Sequence, residues 1–297
     1  PTGNGTLQKM PALLTNLVYF TIVVYGCFSV GLMSDAEVFY GAASPLCYFT
    51  EFDVSGQWFA KSLGTIIFFY VMSPFYAGVS YETYARIGLL LNVIVFPCYV
   101  RGAFFLTNTG PDGCTSPMAM PFCLWVPQVF LDAGIIVWNV IALNQEGGVI
   151  KITRAPKDGS TYFCWAVAFV YAALFGTTLV ISPKWFWGPD SLFAYWTEND
   201  ETGVYFGRLL GVMMLGLFTS PLYAGLEYAK LAKMMLPISC FFLSYFVKCA
   251  FFMDAGVGPG HNALLPVNLW VLQVLIGLGF LLWNVKVLRD TKGATLL

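Results

Sequence analysis

Long apolar runs alternate with short polar stretches along the whole chain. Eight runs come close to the about 20 apolar residues that a helix needs to cross a bilayer: residues 13–33, 59–79, 87–106, 121–143, 162–181, 206–224, 234–253 and 264–287. The pattern predicts an all-α membrane protein with eight transmembrane helices. Several runs carry Gly or Pro, which membrane helices accept where neighbours satisfy the freed backbone groups.

The polar positions carry a second pattern, because the chain repeats itself at an offset of 147 residues. Tyr48, Thr50 and Glu51 meet Tyr195, Thr197 and Glu198. Without a gap, Phe59, Lys61, Leu63 and Gly64 meet Phe206, Arg208, Leu210 and Gly211. Ser73-Pro74 and Tyr76-Ala77-Gly78 meet Ser220-Pro221 and Tyr223-Ala224-Gly225, and Arg86 and Arg101 meet Lys233 and Lys248. After a two-residue shortening, Trp125 and Gln128 meet Trp270 and Gln273, and Trp138-Asn139 meets Trp283-Asn284. Shared hydrophobicity does not produce matches at Trp, Pro, Gln and same-sign charge. The expected organisation is a four-helix repeat over residues 1–143, a polar Gly-, Lys- and Pro-containing linker over 144–160, and a second four-helix repeat over 161–297. Four spans per half orient both halves alike, so the repeats are parallel and both termini share one side. The first helices of the two halves match poorly in identity, which predicts different neighbours for them.

Charge orients the bundle. The side holding the termini and the linker collects ten of the 15 basic residues and five of the 16 acidic ones. The positive-inside rule makes it the cytosolic side or its stromal or matrix equivalent, with an organelle membrane suspected. Composition agrees with a lipid solvent. The 297 residues are 58% hydrophobic and 10% charged, against about 25% charged in soluble domains. Aromatics at 18% suit lipid-facing surfaces and interfacial belts, and equally contact with flat pigments. A net charge of −1 implies no nucleic-acid partner, and one His argues against a His-built metal site. The first residue is Pro1 rather than Met, which reads as a processed or trimmed chain, and no secretory signal pattern opens it.

Few polar positions inside the spans invite a functional role. Asp132 is the one acidic residue deep within a predicted span, where a carboxylate costs at least about 2.5 kcal/mol. It reads as a proton or cation relay or cofactor contact, or else as a carboxylate paired across helices or facing a second subunit, which has the greater weight. Gln128 lies one turn away, and Arg101 or Lys248 are candidate counter-ions. Its counterpart in the second half is Gly277, contrary to a symmetric transport path. Gln128, Gln273, Asn139 and Asn284 suit hydrogen bonds between helices, or ligation of a chlorophyll magnesium. Lys61, Arg208, Arg86, Lys233, Arg101 and Lys248 lie near span ends, where long basic side chains reach lipid headgroups. Trp125, Trp270, Trp138 and Trp283 read as interfacial anchors. The repeated Ser-Pro pairs predict a fixed bend in the second helix of each half. His261, in a Gly-rich loop, is a candidate pigment or haem ligand or a solvent-facing side chain. Of eight Cys, Cys47, Cys114 and Cys123 fall on the oxidising side, where a disulfide among them can form; connectivity is not legible.

Each half, four spans with a Gly- and Pro-punctuated second helix, resembles the DoxX-like four-helix membrane proteins in span pattern, a likeness that transfers no functional residue. Light-harvesting chlorophyll proteins, with paired Glu/Asn-Gly-Arg helices, do not fit. Catalytic motifs are absent from the sequence. The expectation is a non-catalytic integral subunit, acting as scaffold, linker or assembly factor in a larger membrane complex, for example a thylakoid photosystem with its antenna. Its contacts would be lipids, other membrane subunits and, without any cofactor being required, chlorophyll or carotenoid. The alternative is a transporter or channel for a small solute with Asp132 as coupling residue.

Overall fold

The computed structural model describes residues 12–106, 109, 111–191, 193–252 and 268–291. It is all-helical, 75% helix with no strand among the described residues. The helices are α1 Ala12–Tyr40, α2 Val54–Tyr76, α3 Tyr81–Phe104, α4 Trp125–Gln145, α5 Gly159–Ile181, α6 Pro183–Trp187, α7 Glu201–Phe218, α8 Tyr228–Phe251 and α9 Leu269–Asp290.

Six of these are long and apolar enough to cross a membrane: α1, α3, α4, α5, α8 and α9. The sequence pattern predicts eight, and the two helices outside the six are α2 and α7. Both are interrupted by charge and glycine, with Lys61 in α2 and Glu201, Arg208 and four glycines in α7. Their polarity has a physical setting, because they pack against each other at the centre of the bundle. In α7, 14 of 18 residues are buried. A helix enclosed by protein need not be as apolar as one bathed in lipid.

Around this pair, α1 packs on α2, α3 and α4, and α3 packs on α4. Likewise α5 packs on α7, α8 and α9, and α8 packs on α9. The first helices of the two halves therefore meet corresponding neighbours, contrary to the expectation from their poor identity. Their breaks correspond as well. Asp35 interrupts α1 with φ −155° and ψ 103°, and Ser182 separates α5 from α6 with φ −160° and ψ 97°. Each then caps the following turn, Asp35 accepting from Val38 N and Ser182 from Trp185 N. Ala168–Gly176 of α5 is a π-helix, a departure that α1 does not share.

Turn chemistry sets the ends of the elements. Gly78 (φ +66°) and Gly225 (φ +76°) take the left-handed conformation in the turns before α3 and α8. Pro74 lies in the last turn of α2, whereas α7 stops at Phe218 and Pro221 sits in the 3-10 turn Ser220–Leu222. The expected bend is thus a helix stop in the second half. At the same end of the bundle the linker runs beside that turn, with Lys151 N donating to Tyr223 O (2.7 Å) and Thr153 N to Pro221 O (2.9 Å). At the opposite end a disulfide joins Cys47 to Cys114, with Cα atoms 6.0 Å apart, and Cys123 is a free thiol.

Candidate functional site

Aromatic side chains build the core of each half in matching geometry. Tyr48 meets Trp125 edge-on with centroids 4.8 Å apart and planes at 75°, and Tyr195 meets Trp270 at 4.8 Å and 77°. Phe49 completes the first cluster 5.4 Å from Trp125, and Trp196 completes the second 5.1 Å from Trp270. Trp125 and Trp270 are therefore buried, at 4% and 2% exposure, rather than interfacial anchors. A tryptophan at a helix end produces the same sequence signal whether it faces lipid or a packed core. Trp125 donates its indole hydrogen to Tyr48 O at 2.9 Å. Trp138 is half-buried and donates to Leu13 O, and Trp283 is exposed.

Between the first cluster and the central helices lies a cavity of about 110 Å³. Its wall is apolar and aromatic, formed by α1, α2, α3, α4 and α7, with Asn92, Gln128 and six tyrosines (Tyr25, Tyr40, Tyr48, Tyr70, Tyr99 and Tyr205) as its polar members. Tyr25 donates to Asn92 Oδ1 at 2.5 Å, while Asn92 Nδ2 and Tyr205 Oη have no hydrogen-bond partner. The corresponding region of the second half is nearly filled, leaving about 30 Å³ among Trp58, Phe242, Phe246, Trp270 and their neighbours.

Of the sequence-predicted residues, Gln128 reaches this cavity and accepts a long contact from Tyr48 Oη at 3.5 Å. Gln273 instead donates to Tyr195 Oη at 2.9 Å. Burial pushes the Tyr48 and Tyr195 hydroxyls up to about 12, so both stay protonated. Asp132 lies behind the cavity wall at 1% exposure, within electrostatic reach of Tyr25, Tyr99 and Tyr205. Its Oδ2 has no hydrogen-bond partner. Neither predicted counter-ion reaches it. Arg101 is exposed and lines a small surface pocket with Arg208 and Glu201, and Lys248 is exposed.

The amides and basic residues behave differently from expectation in three cases. Asn139 does not bond between helices, because its Nδ2 donates to Ile135 O of its own helix at 2.9 Å. Asn284 is fully buried with neither side-chain polar atom partnered. Arg86 does not reach outward to lipid headgroups. It is 2% exposed, and its guanidinium donates to Gly148 O (3.0 Å) and Glu146 O (3.1 Å), carbonyls at the C-terminal end of α4. Lys61 and Lys233 are half-exposed. His261 lies outside the described residues.

Asp53 is the residue that sequence reasoning missed. Its Oδ1 accepts from Ser55 Oγ and Gly56 N, capping α2. Its Oδ2 accepts from Asp200 N (2.8 Å), Thr202 Oγ1 (3.2 Å) and Gly203 N (3.1 Å), capping α7. One carboxylate thus faces the positive ends of both central helices. Glycine makes the approach feasible: a Cβ on Gly56 would fall 2.6 Å from Thr202 Oγ1, and one on Gly203 2.7 Å from Asn199 Oδ1. Comparison with protein-family models, curated proteins and solved structures yields no match.

Proposed function

We propose that the chain is a non-catalytic integral subunit of a larger membrane complex, built as two parallel four-span repeats with eight spans and both termini on the positively charged side. The observation that carries the subunit reading is the work of the buried charges. Asp53 joins the two central helices, and Arg86 binds the end of α4 to the start of α3. These groups hold helices together rather than line a polar path. Outward, only 28–39% of the residues in the most apolar windows of the six helices are buried within the chain, which leaves each a face for lipid or for other helices. The repeat reading draws support from the matched breaks at Asp35 and Ser182, the matched aromatic clusters, and the matched helix neighbours. Common sidedness of the termini draws support from two contacts. The start of α1 meets α4 through Leu13 and Trp138, and the end of α9 meets α5 through Thr291 and Ser160. An organellar energy-converting complex is the host class we favour, on the aromatic content alone.

Extraction of native membranes in mild detergent, followed by mass spectrometry and absorption spectra of the purified material, tests this reading. Stable protein partners in fixed ratio are the expected result. A chain that purifies alone from its native membrane would overturn it. The second reading, a transporter coupled through Asp132, is favoured by that carboxyl's burial without a hydrogen-bond partner for Oδ2 beside a cavity. Solute uptake by proteoliposomes of the pure chain that is lost on Asp132→Asn would establish it in place of the first.

A further inference from the structure

Two arginines from different halves converge at the disulfide end of the bundle without an acid to pair with. Arg101 stands in the last turn of α3, and Arg208 in the first half of α7. These two helices pack against each other, and both side chains line one cleft with Cys98, Leu106, Tyr205 and Glu201. Their charges lie within electrostatic reach of each other. Among the described residues the one ion pair joins Lys230 to Glu227, so Glu201 pairs with neither arginine. Arg86 spends its guanidinium on two carbonyls, whereas Arg101 and Arg208 make no such bond. Arg208 Nε is buried without a partner, and its two terminal nitrogens, neither buried nor bonded, remain accessible. Arg101 is exposed.

Like charges held this way repel, and a guanidinium does not relieve the repulsion by losing its proton. An anion held by both does. The cleft itself, about 20 Å³, has room for little more than the roughly 10–15 Å³ of one water, so the anion sits at its mouth. Planar guanidiniums present forked N–H groups that match the oxygens of a phosphate. The matching positions of the second half are Lys248 and Lys61, point charges without that fork. The surroundings point to the source of the phosphate. Phe104, the last residue of α3, and the adjoining Phe105 are 62% and 74% exposed. Apolar surface beside two cations suits the acyl chains and headgroup of one lipid.

We propose that Arg101 and the terminal nitrogens of Arg208 together bind one phosphate group at the mouth of this cleft, the headgroup phosphate of a membrane phospholipid. The lipid ties α3 of the first half to α7 of the second. The site lies wholly within this chain and is independent of any partner subunit.

The test is calorimetric titration of the delipidated full chain in nonionic detergent with dioctanoyl phosphatidylglycerol. Inorganic phosphate forms a parallel arm, and dioctanoylglycerol is the phosphate-free control. Wild type should bind the phospholipid saturably and at least about tenfold more tightly than dioctanoylglycerol, the margin that one charged hydrogen bond supplies. Binding should weaken as salt rises. Arg101→Gln should lose about tenfold in affinity for the phospholipid and none for dioctanoylglycerol. Lys61→Gln, at the second basic position of the opposite junction, should leave both affinities unchanged. Absence of saturable phospholipid binding overturns the proposal, as does equal affinity of wild type for the two lipids or an equal loss in the two variants. Inorganic phosphate that binds as tightly and displaces the phospholipid overturns the lipid as the source. The wild-type comparison of ligands decides the matter even if a variant fails to fold.

Discussion

At the level of single residues, Asp53 holds the most concentrated arrangement in the molecule. Side-chain capping of one helix by Asp is worth about 0.5–2 kcal/mol, and Asp53 caps two. Asp53→Ala would also strand Gly203 N and Asp200 N in a largely buried junction, at about 1–3 kcal/mol for each donor left unpaired. A loss of about 2–4 kcal/mol is expected, seen as a clear fall in the thermal midpoint of the detergent-solubilised chain. Asp200 holds the equivalent position in the second half, but its side chain is exposed and makes no cap. Asp200→Ala should change stability by no more than about 0.5 kcal/mol. Equal effects at the two positions would show that Asp53 acts only locally. The sequence carries no signal for this asymmetry. Both aspartates sit just before a glycine-bearing helix, and which carboxylate turns inward is decided by how closely α2 and α7 approach.

At the level of elements, helix identity and order were legible from hydrophobic run length, whereas the environment of each helix was not. Apolar runs located all six membrane-length apolar helices and the central pair, because lipid and protein interiors both demand apolar side chains. They did not separate the outer α4 from the enclosed α7, since that depends on neighbours. Arg86 illustrates the same limit: a basic residue near a span end reads as lipid-facing, yet here it satisfies carbonyls of another helix end. The loop ends were least legible, because three cysteines on one side allow several pairings. The bridge between Cys47 and Cys114 closes a loop of 67 residues, worth roughly 4 kcal/mol on chain-entropy grounds. Cys114→Ser, or reduction of the wild type, should lower the thermal midpoint, and Cys123→Ser should leave it unchanged. A midpoint insensitive to reductant would mean that the pair is not oxidised in the native membrane, which would also remove one support for placing that end on the oxidising side.

At the level of the whole molecule, the open question is whether α2 and α7 span the bilayer together with the six apolar helices. At about 1.5 Å per residue, the 23 residues of α2 extend about 34 Å, enough for a hydrocarbon core of about 30 Å. The 18 residues of α7 reach about 27 Å, slightly short. Yet α7 is enclosed by neighbours, so protein rather than lipid meets its ends. Eight spans and six spans both place the termini on one side, and tagging the termini alone cannot separate them. The linker can. With eight spans each half crosses four times and the linker returns to the side of the termini. With six, each half crosses three times and the linker would lie opposite, which the contacts of Leu13 with Trp138 and of Ser160 with Thr291 at the two ends of the linker disfavour. A protease site inserted beside the exposed Lys157, in sealed vesicles of known orientation, should be cut from the same side as tags at both ends of the chain. Cutting from the opposite side would remove α2 and α7 from the membrane. It would also recast the Asp53 junction as part of an aqueous domain, where the cost of an unpaired donor falls because water replaces the missing partner.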